Sequence, residues 1–83
     1  MSSILADVAA GKPNAVAACV QKYTPPIWNL ARQLLRNPHD SEDALQDIFL
    51  DVWRSAARFD PSAGSEMTFV LPIARRRLID RAR

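Results

Sequence analysis

Apolar residues recur in the first half of the chain at the spacing of an α-helix. Their steps are four, three, four, three and four residues, at Val16, Val20, Tyr23, Ile27, Leu30 and Leu34. Residues at this spacing share one side of a helix, so the pattern predicts a helix with a single buried face. The stripe crosses Pro25 and Pro26 in register. Because a proline inside a helix removes a hydrogen bond, we expect two helical segments bent at these prolines.

Breakers on either side of this stripe predict further helices. Gly11-Lys12-Pro13 ends a short predicted helix over residues 3–10, and position 13 or 14 begins the long one. Asn37-Pro38 ends the long helix. Asp40 or Ser41 then caps a third predicted helix that runs to about residue 57.

The third predicted helix has two different faces. Its apolar face carries Leu45, Ile48, Phe49, Val52, Trp53 and Ala56. Its other face carries Asp43, Gln46, Asp47, Leu50 and Arg54. Leu50 is a large aliphatic residue on an acidic face, which fits either a docking surface or an isolated exposed hydrophobic residue.

The last third of the chain is a turn-rich stretch followed by a basic helix. Residues 59–65 read FDPSAGS, in which Pro61 is rigid and Gly64 is free. The helix after it begins just before Pro72, or begins at Ser65 or Thr68 and bends at Pro72. With two glycines in 83 residues and abundant alanine, leucine and arginine, we predict one all-α domain over residues 1–83, a compact bundle of four to five helices.

Composition excludes several classes of protein. The single cysteine, Cys19, cannot form an internal disulfide, and the lone His39 leaves no zinc ligand set, so we predict neither metal nor cofactor. The longest apolar run, residues 15–20, is too short for a membrane span. No signal peptide is evident, and these features predict a cytoplasmic protein.

Charge is segregated along the chain although its net value is only +2. Residues 38–51 contain five acidic residues and no lysine or arginine, whereas residues 52–83 contain seven arginines against three acidic residues. An acidic and a basic surface on one small domain predict two different partners.

The basic helix is the clearest chemical signal. On helical geometry Arg75, Arg76, Ile79 and Arg83 share one face, whereas Leu71, Ala74 and Leu78 share another that can pack inward; Arg77 and Arg81 form a flank. Five arginines in nine residues exceed what the helix dipole alone would favour, so we predict nucleic-acid binding over a merely solvated helix end. Phe69 can stack on a base, although hydrophobic packing explains it as well.

An enzyme is the weaker hypothesis. His39, Asp43, Asp47 and Asp51 recur every four residues, as ligands of a metal could. However, carboxylates near a helix N-terminus need no metal to explain them, and the sequence contains no phosphate loop or nucleophile motif. We therefore predict a protein without catalytic activity.

Three stretches together resemble region 2 of bacterial RNA polymerase sigma factors of the extracytoplasmic-function (ECF) type. They are residues 40–54 (DSEDALQDIFLDVWR), 59–65 (FDPSAGS) and 73–81 (IARRRLIDR), supported by a weaker match over residues 23–35. The resemblance implies a transcription initiation factor that docks on the polymerase core enzyme and recognises and melts the minus-ten promoter element.

The resemblance also assigns roles to individual residues. Contact with the clamp helices of the polymerase β′ subunit falls on Asp43, Gln46, Asp47, Leu50 and Arg54. Capture of a flipped non-template base, and contact with the rest of the minus-ten element, fall on Phe59, Asp60, Ser62, Ala63, Gly64, Ser65, Phe69, Arg75, Arg76, Ile79 and Arg83. An anti-sigma factor is a possible further partner implied by the family.

The chain departs from the family pattern at three positions. Phe69 stands where tryptophan is usual, Arg76 where asparagine is usual, and Pro72 where proline is rare. The second promoter-binding domain of the family is not found in these 83 residues, so we expect an isolated domain. A small helical adaptor, with an acidic docking face and no specific role on DNA, is the alternative; salt dependence of DNA binding separates the two.

Overall fold

Four α-helices and one short 3₁₀ turn make up the computed structural model, which describes residues 3–83. They are α1 (Ile4–Ala9), α2 (Ala15–Leu34), α3 (Pro38–Ser55), the 3₁₀ turn (Ala56–Arg58) and α4 (Glu66–Ala82). No strand occurs between residues 3 and 83, so the all-α prediction is confirmed. None of these helices has both the length and the apolar character that a membrane span requires.

The buried face of α2 differs from the predicted one. Tyr23 and Ile27 are buried as expected, and Leu30 and Leu34 are partly buried. Val16 and Val20, however, are 44% and 36% exposed, so the prediction of one buried face from residue 16 to residue 34 is wrong at its start. The buried residues instead follow a strict four-residue step: Ala15, Cys19, Tyr23, Ile27 and Ala31. Small side chains on this stripe carry a weak hydrophobic signal but fit close against neighbouring helices.

The long helix is not divided at its prolines. α2 runs without a break for 20 residues through Pro25 and Pro26, so the two predicted segments are one helix; the bend at these prolines stays a prediction. Each proline removes one backbone donor from the helix. The carbonyls that lose those donors belong to Gln21 and Lys22, which are both exposed residues, so water can reach that side of the helix.

Capping explains where α3 and α4 begin. α3 starts at Pro38, earlier than predicted, because the Asn37 side chain accepts a hydrogen bond of 2.8 Å from the His39 N–H. Pro38 occupies the first helical position, where a missing N–H costs nothing. α4 starts after Ser65, whose hydroxyl accepts from the Thr68 N–H, and it continues through Pro72.

One hydrophobic core lies between all four helices. It is formed by fourteen buried residues, among them the completely buried Leu5 of α1 and Leu78 of α4. Ile48 and Val52 of α3 and Ala74 of α4 lie on the faces that the sequence pattern predicted to be buried. The same packing turns the acidic side of α3 and the basic side of α4 outward.

A single carboxylate, that of Glu66, connects three helices. It stands at the first position of α4, and its oxygens accept hydrogen bonds from the Leu5 N–H of α1 (2.7 Å) and the Tyr23 hydroxyl of α2 (2.8 Å). Lys22 of α2 pairs with the same carboxylate at 3.5 Å. Burial raises the pKa of Glu66, but the hydrogen bonds from Leu5 and Tyr23 and the charge of Lys22 outweigh it, so the net pKa is lowered. Burial and the bond to Glu66 raise the pKa of Tyr23.

We predict that Glu66→Gln lowers the free energy of unfolding by about 1–3 kcal/mol at pH 7, because a charged acceptor is lost while its donors stay partly buried. A lowered pKa in the folded state stabilises the fold above the ordinary glutamate pKa of about 4.3, and this gain is lost as pH falls through the folded value. The difference between wild type and variant should therefore shrink in acid.

Urea unfolding followed by circular dichroism at several pH values measures this effect. Glu42→Gln removes the same charge at an exposed position of α3 and serves as the control. Equal destabilisation by both variants, or a Glu66→Gln effect that grows in acid, would contradict the assignment of Glu66.

Candidate functional site

A cavity of about 270 Å³ lies between the 59–65 loop and the first turn of α4. Its lining includes most of the loop residues that the sequence singled out, together with Phe69 of α4. The full lining is Arg58, Phe59, Asp60, Ala63, Gly64, Ser65, Thr68 and Phe69. Residues that are ten positions apart in sequence are thus brought to one open pocket on the surface.

An aromatic pair forms one side of this cavity. The rings of Phe59 and Phe69 are tilted against each other with centroids 5.6 Å apart. Both side chains are only partly buried, and both also pack against the hydrophobic core. The two predicted roles of Phe69, stacking on a base and packing in the protein, are therefore compatible. The ring pair packs against the core and also borders the cavity.

A hydrogen-bonded turn fixes the loop. The Asp60 carboxylate accepts from the Ser62 N–H (2.9 Å) and the Ser62 hydroxyl (2.7 Å), and the Ala63 N–H donates to the Asp60 carbonyl at 3.0 Å. These bonds from Ser62 lower the pKa of Asp60, so its carboxylate stays charged at neutral pH. Ser62 holds the turn and does not line the cavity, unlike the other predicted loop residues.

Gly64 is required by close approach and not by a positive φ. Gly11 is the glycine with positive φ in the described chain, whereas Gly64 lies outside that region. A Cβ at Gly64 would lie 2.8 Å from the Thr68 hydroxyl oxygen. That hydroxyl donates to the Ser65 carbonyl at 2.6 Å, so it cannot move away without breaking a bond at the start of α4. The absence of a side chain at Gly64 therefore lets the loop that lines the cavity pass close to Thr68 without disturbing the first turn of α4.

The outer face of α4 continues from this loop. Arg75, Arg76 and Arg83 are exposed, and Ile79 is partly buried between them. With Pro72 and Asp80 they surround a shallow depression of about 370 Å³. The face predicted from helical geometry is therefore present and open to solvent.

Two further arginines of α4, Arg77 and Arg81, form ion pairs with α3. The Arg77 guanidinium donates to Asp51 through Nε and, at 3.1 Å, through Nη2. Arg81 Nη2 lies 3.4 Å from the Asp47 carboxylate. Hydrogen bonding from Arg77 lowers the pKa of Asp51, and Arg77 itself has a raised pKa. The flank of α4 thus holds the helix to α3, and the acidic face of α3 is partly neutralised there.

An apolar groove of about 480 Å³ runs between α2 and α3. Leu50, which is 44% exposed, and Gln46 form one side of it. The groove lining is Val20, Thr24, Leu45, Gln46, Phe49, Leu50 and Trp53. The exposed Asp43 and Arg54 do not line it, and Asp47 is paired with Arg81, so the five predicted polymerase contacts share one side of α3 without forming a single pocket.

The sequence analysis missed several residues of these surfaces. Val20, which lines the groove, was predicted to be buried because the apolar stripe on α2 was assigned to the wrong side of the helix. The small residues Ala15 and Cys19, spaced four residues apart with Tyr23, indicated the correct side. Thr68 was missed because its role depends on Gly64. Between residues 3 and 83 no group of three or more potential ligands is placed to hold a metal ion.

Comparison with known protein families gives a match that covers most of the chain. The sigma-70 region 2 family matches residues 19–83. No solved structure matches the chain significantly.

Three curated relatives are named ECF RNA polymerase sigma factor SigK. The ECF RNA polymerase sigma factor SigK of Mycobacterium sp. (strain KMS) is 41% identical over 80 residues, which is 96% of this chain and 42% of that protein. SigK of Mycolicibacterium vanbaalenii is 39% identical over 83 residues, 100% of this chain and 42% of the relative. SigK of Mycobacterium tuberculosis (strain ATCC 25177 / H37Ra) is 40% identical over 57 residues, 69% of this chain and 30% of the relative.

The chain therefore spans less than half the length of these curated relatives. The family match, in contrast, covers most of the chain and includes α3, the 59–65 loop and α4. From this match we conclude that the chain belongs to the sigma-70 region 2 family, and that the proteins it resembles are ECF-type RNA polymerase sigma factors.

Proposed function

We propose that residues 1–83 form a sigma region 2 domain that docks on the RNA polymerase core enzyme and holds the melted minus-ten element of a promoter. The observation that carries the proposal is the cavity between the 59–65 loop and α4, the helix that also carries the exposed arginine face. Its role is binding and positioning, with no chemical step. A bacterial cytoplasm, where the polymerase works, is the compartment that this function requires.

The α2–α3 side is proposed as the polymerase surface. An apolar groove with a protruding Leu50, on the same side of α3 as Asp43 and Asp47, suits a partner that presents apolar and basic side chains on a helix. The clamp helices of the β′ subunit are the partner that the family implies. An anti-sigma factor is the further partner that the family implies.

The loop and α4 are proposed as the promoter surface. A base in duplex DNA is stacked, so a protein that takes one base must bind the melted strand and supply a pocket in compensation. The aromatic pair Phe59–Phe69 offers a stacking surface, and Arg75, Arg76 and Arg83 offer charges for phosphates. Ile79 adds an apolar contact between these arginines.

The adaptor alternative makes a different forecast about DNA. Arginines that serve only solubility bind DNA weakly and without preference for a melted minus-ten element over another single strand.

We expect Leu50→Ala to weaken binding to polymerase core enzyme about 5- to 10-fold, because it removes the apolar side chain that protrudes at the groove. Its exposure means that the free energy of unfolding should change little. Biolayer interferometry with immobilised core enzyme measures the affinity. Gln33→Ala, an exposed change on α2 outside the groove, is the control. Equal affinities of the two variants would refute the docking surface.

Arg75→Ala and Arg77→Ala should separate DNA binding from stability. Arg75 is exposed and free for phosphate contact, so its removal should reduce the slope of log affinity against log salt by about 0.7–0.9 on forked minus-ten DNA. Arg77 is bound to Asp51, so its removal should lower the melting temperature and leave that slope nearly unchanged. Fluorescence anisotropy over a salt series and thermal circular dichroism give both quantities. A larger slope change for Arg77→Ala than for Arg75→Ala would overturn the division of arginines.

A further inference from the structure

The base cavity carries a negative charge of its own. Asp60 lines it, and as an exposed carboxylate it is ionised at neutral pH; its hydrogen bonds from Ser62 lower its pKa further. A nucleotide that places its base in this cavity brings a backbone phosphate to the cavity mouth. Without a cation nearby, Asp60 would repel that phosphate.

Arg58 is the residue that can offset this charge. Of the described residues lining the cavity, Arg58 alone is basic. It is the last residue of the 3₁₀ turn, directly before Phe59, and its side chain is exposed. Each ion pair found between residues 3 and 83 uses other residues, so the Arg58 guanidinium is not committed elsewhere in the described chain.

Resting on the proposed function, we propose that Arg58 binds the backbone phosphate of the nucleotide whose base enters the cavity. A guanidinium matches two phosphate oxygens with parallel N–H donors, which fixes the position of the nucleotide as well as adding charge. Phosphate contact is favoured over base contact because Arg58 is exposed, whereas the Phe59 and Phe69 rings are partly buried and packed against the core. Arg58 thereby joins the promoter surface as a binding residue outside α4.

The test compares Arg58→Gln with Arg36→Gln in complex with polymerase core enzyme. Arg36 is also exposed and takes part in none of the described ion pairs. It precedes α3, whereas Arg58 follows it, so the two arginines flank opposite ends of a helix of 18 residues, which is about 27 Å long. The probe is forked minus-ten DNA, with single neutral methylphosphonate linkages placed in turn along the non-template strand. Affinity is measured for each protein on each probe.

We expect Arg58→Gln to weaken binding of the unmodified probe about 5- to 20-fold, and Arg36→Gln less than 2-fold. On the probe whose neutral linkage replaces the partner phosphate, wild type should lose affinity and Arg58→Gln should lose nothing further. An abasic nucleotide at the flipped position should leave the Arg58→Gln deficit in place, because the contact is to the backbone. Arg58→Lys should restore part of the affinity.

Three results would overturn the inference. Equal effects of the two arginine variants would show only a loss of net charge, and a lower melting temperature of Arg58→Gln without an affinity change would show only a helix-end role. A deficit that differs between bases and disappears on the abasic probe would assign Arg58 to the base edge. Failure of wild type to bind any forked probe would instead reject the proposed function itself.

Discussion

The hydrogen bonds to the Glu66 carboxylate are the interaction on which the arrangement of this domain depends. Glu66 is the first residue of α4, and it accepts from α1 and α2 at once. Because it follows Ser65 directly and precedes Phe69 by three positions, fixing Glu66 also fixes the turn of helix that borders the cavity. These bonds give α1 a polar attachment in addition to the apolar one that its completely buried Leu5 makes with the core. The fold and the candidate site thus share one polar anchor.

The second constraint is the contact of α3 with α4. Asp51 and Asp47 pair with Arg77 and Arg81, which divides the arginines of α4 into two that are paired with α3 and others that remain open to a ligand. Exposed ion pairs of this kind contribute little stability one by one, but they decide which charges are available. The acidic side of α3 consequently carries less unpaired negative charge than its sequence indicates. The exposed Leu50 beside an apolar groove therefore distinguishes this surface more than its charge does.

Much of this could be read from the sequence because it depends on local rules. The face of α4 with Arg75 and Arg83, and the buried Ala74 and Leu78, follow from helical spacing. The buried side of α2 could not be predicted from helical spacing. Strongly apolar residues such as Val16 dominate the hydrophobic pattern, whereas small residues such as Cys19 determine which side packs closely. The Glu66 hub and the role of Gly64 beside Thr68 depend on contacts between distant or hydrogen-bonded groups, which no periodicity reveals.

The central claim is that the cavity beside Gly64 takes an unstacked promoter base while α3 binds the polymerase. The most direct measurement is the fluorescence of 2-aminopurine placed at successive non-template positions of the minus-ten element, with core enzyme and the chain added. The account predicts a rise at one position that needs both proteins, and a smaller rise with Gly64→Ala, whose Cβ would meet the Thr68 hydroxyl. Recruitment of the probe to core enzyme with no rise at any position, or with an undiminished rise in Gly64→Ala, would contradict it.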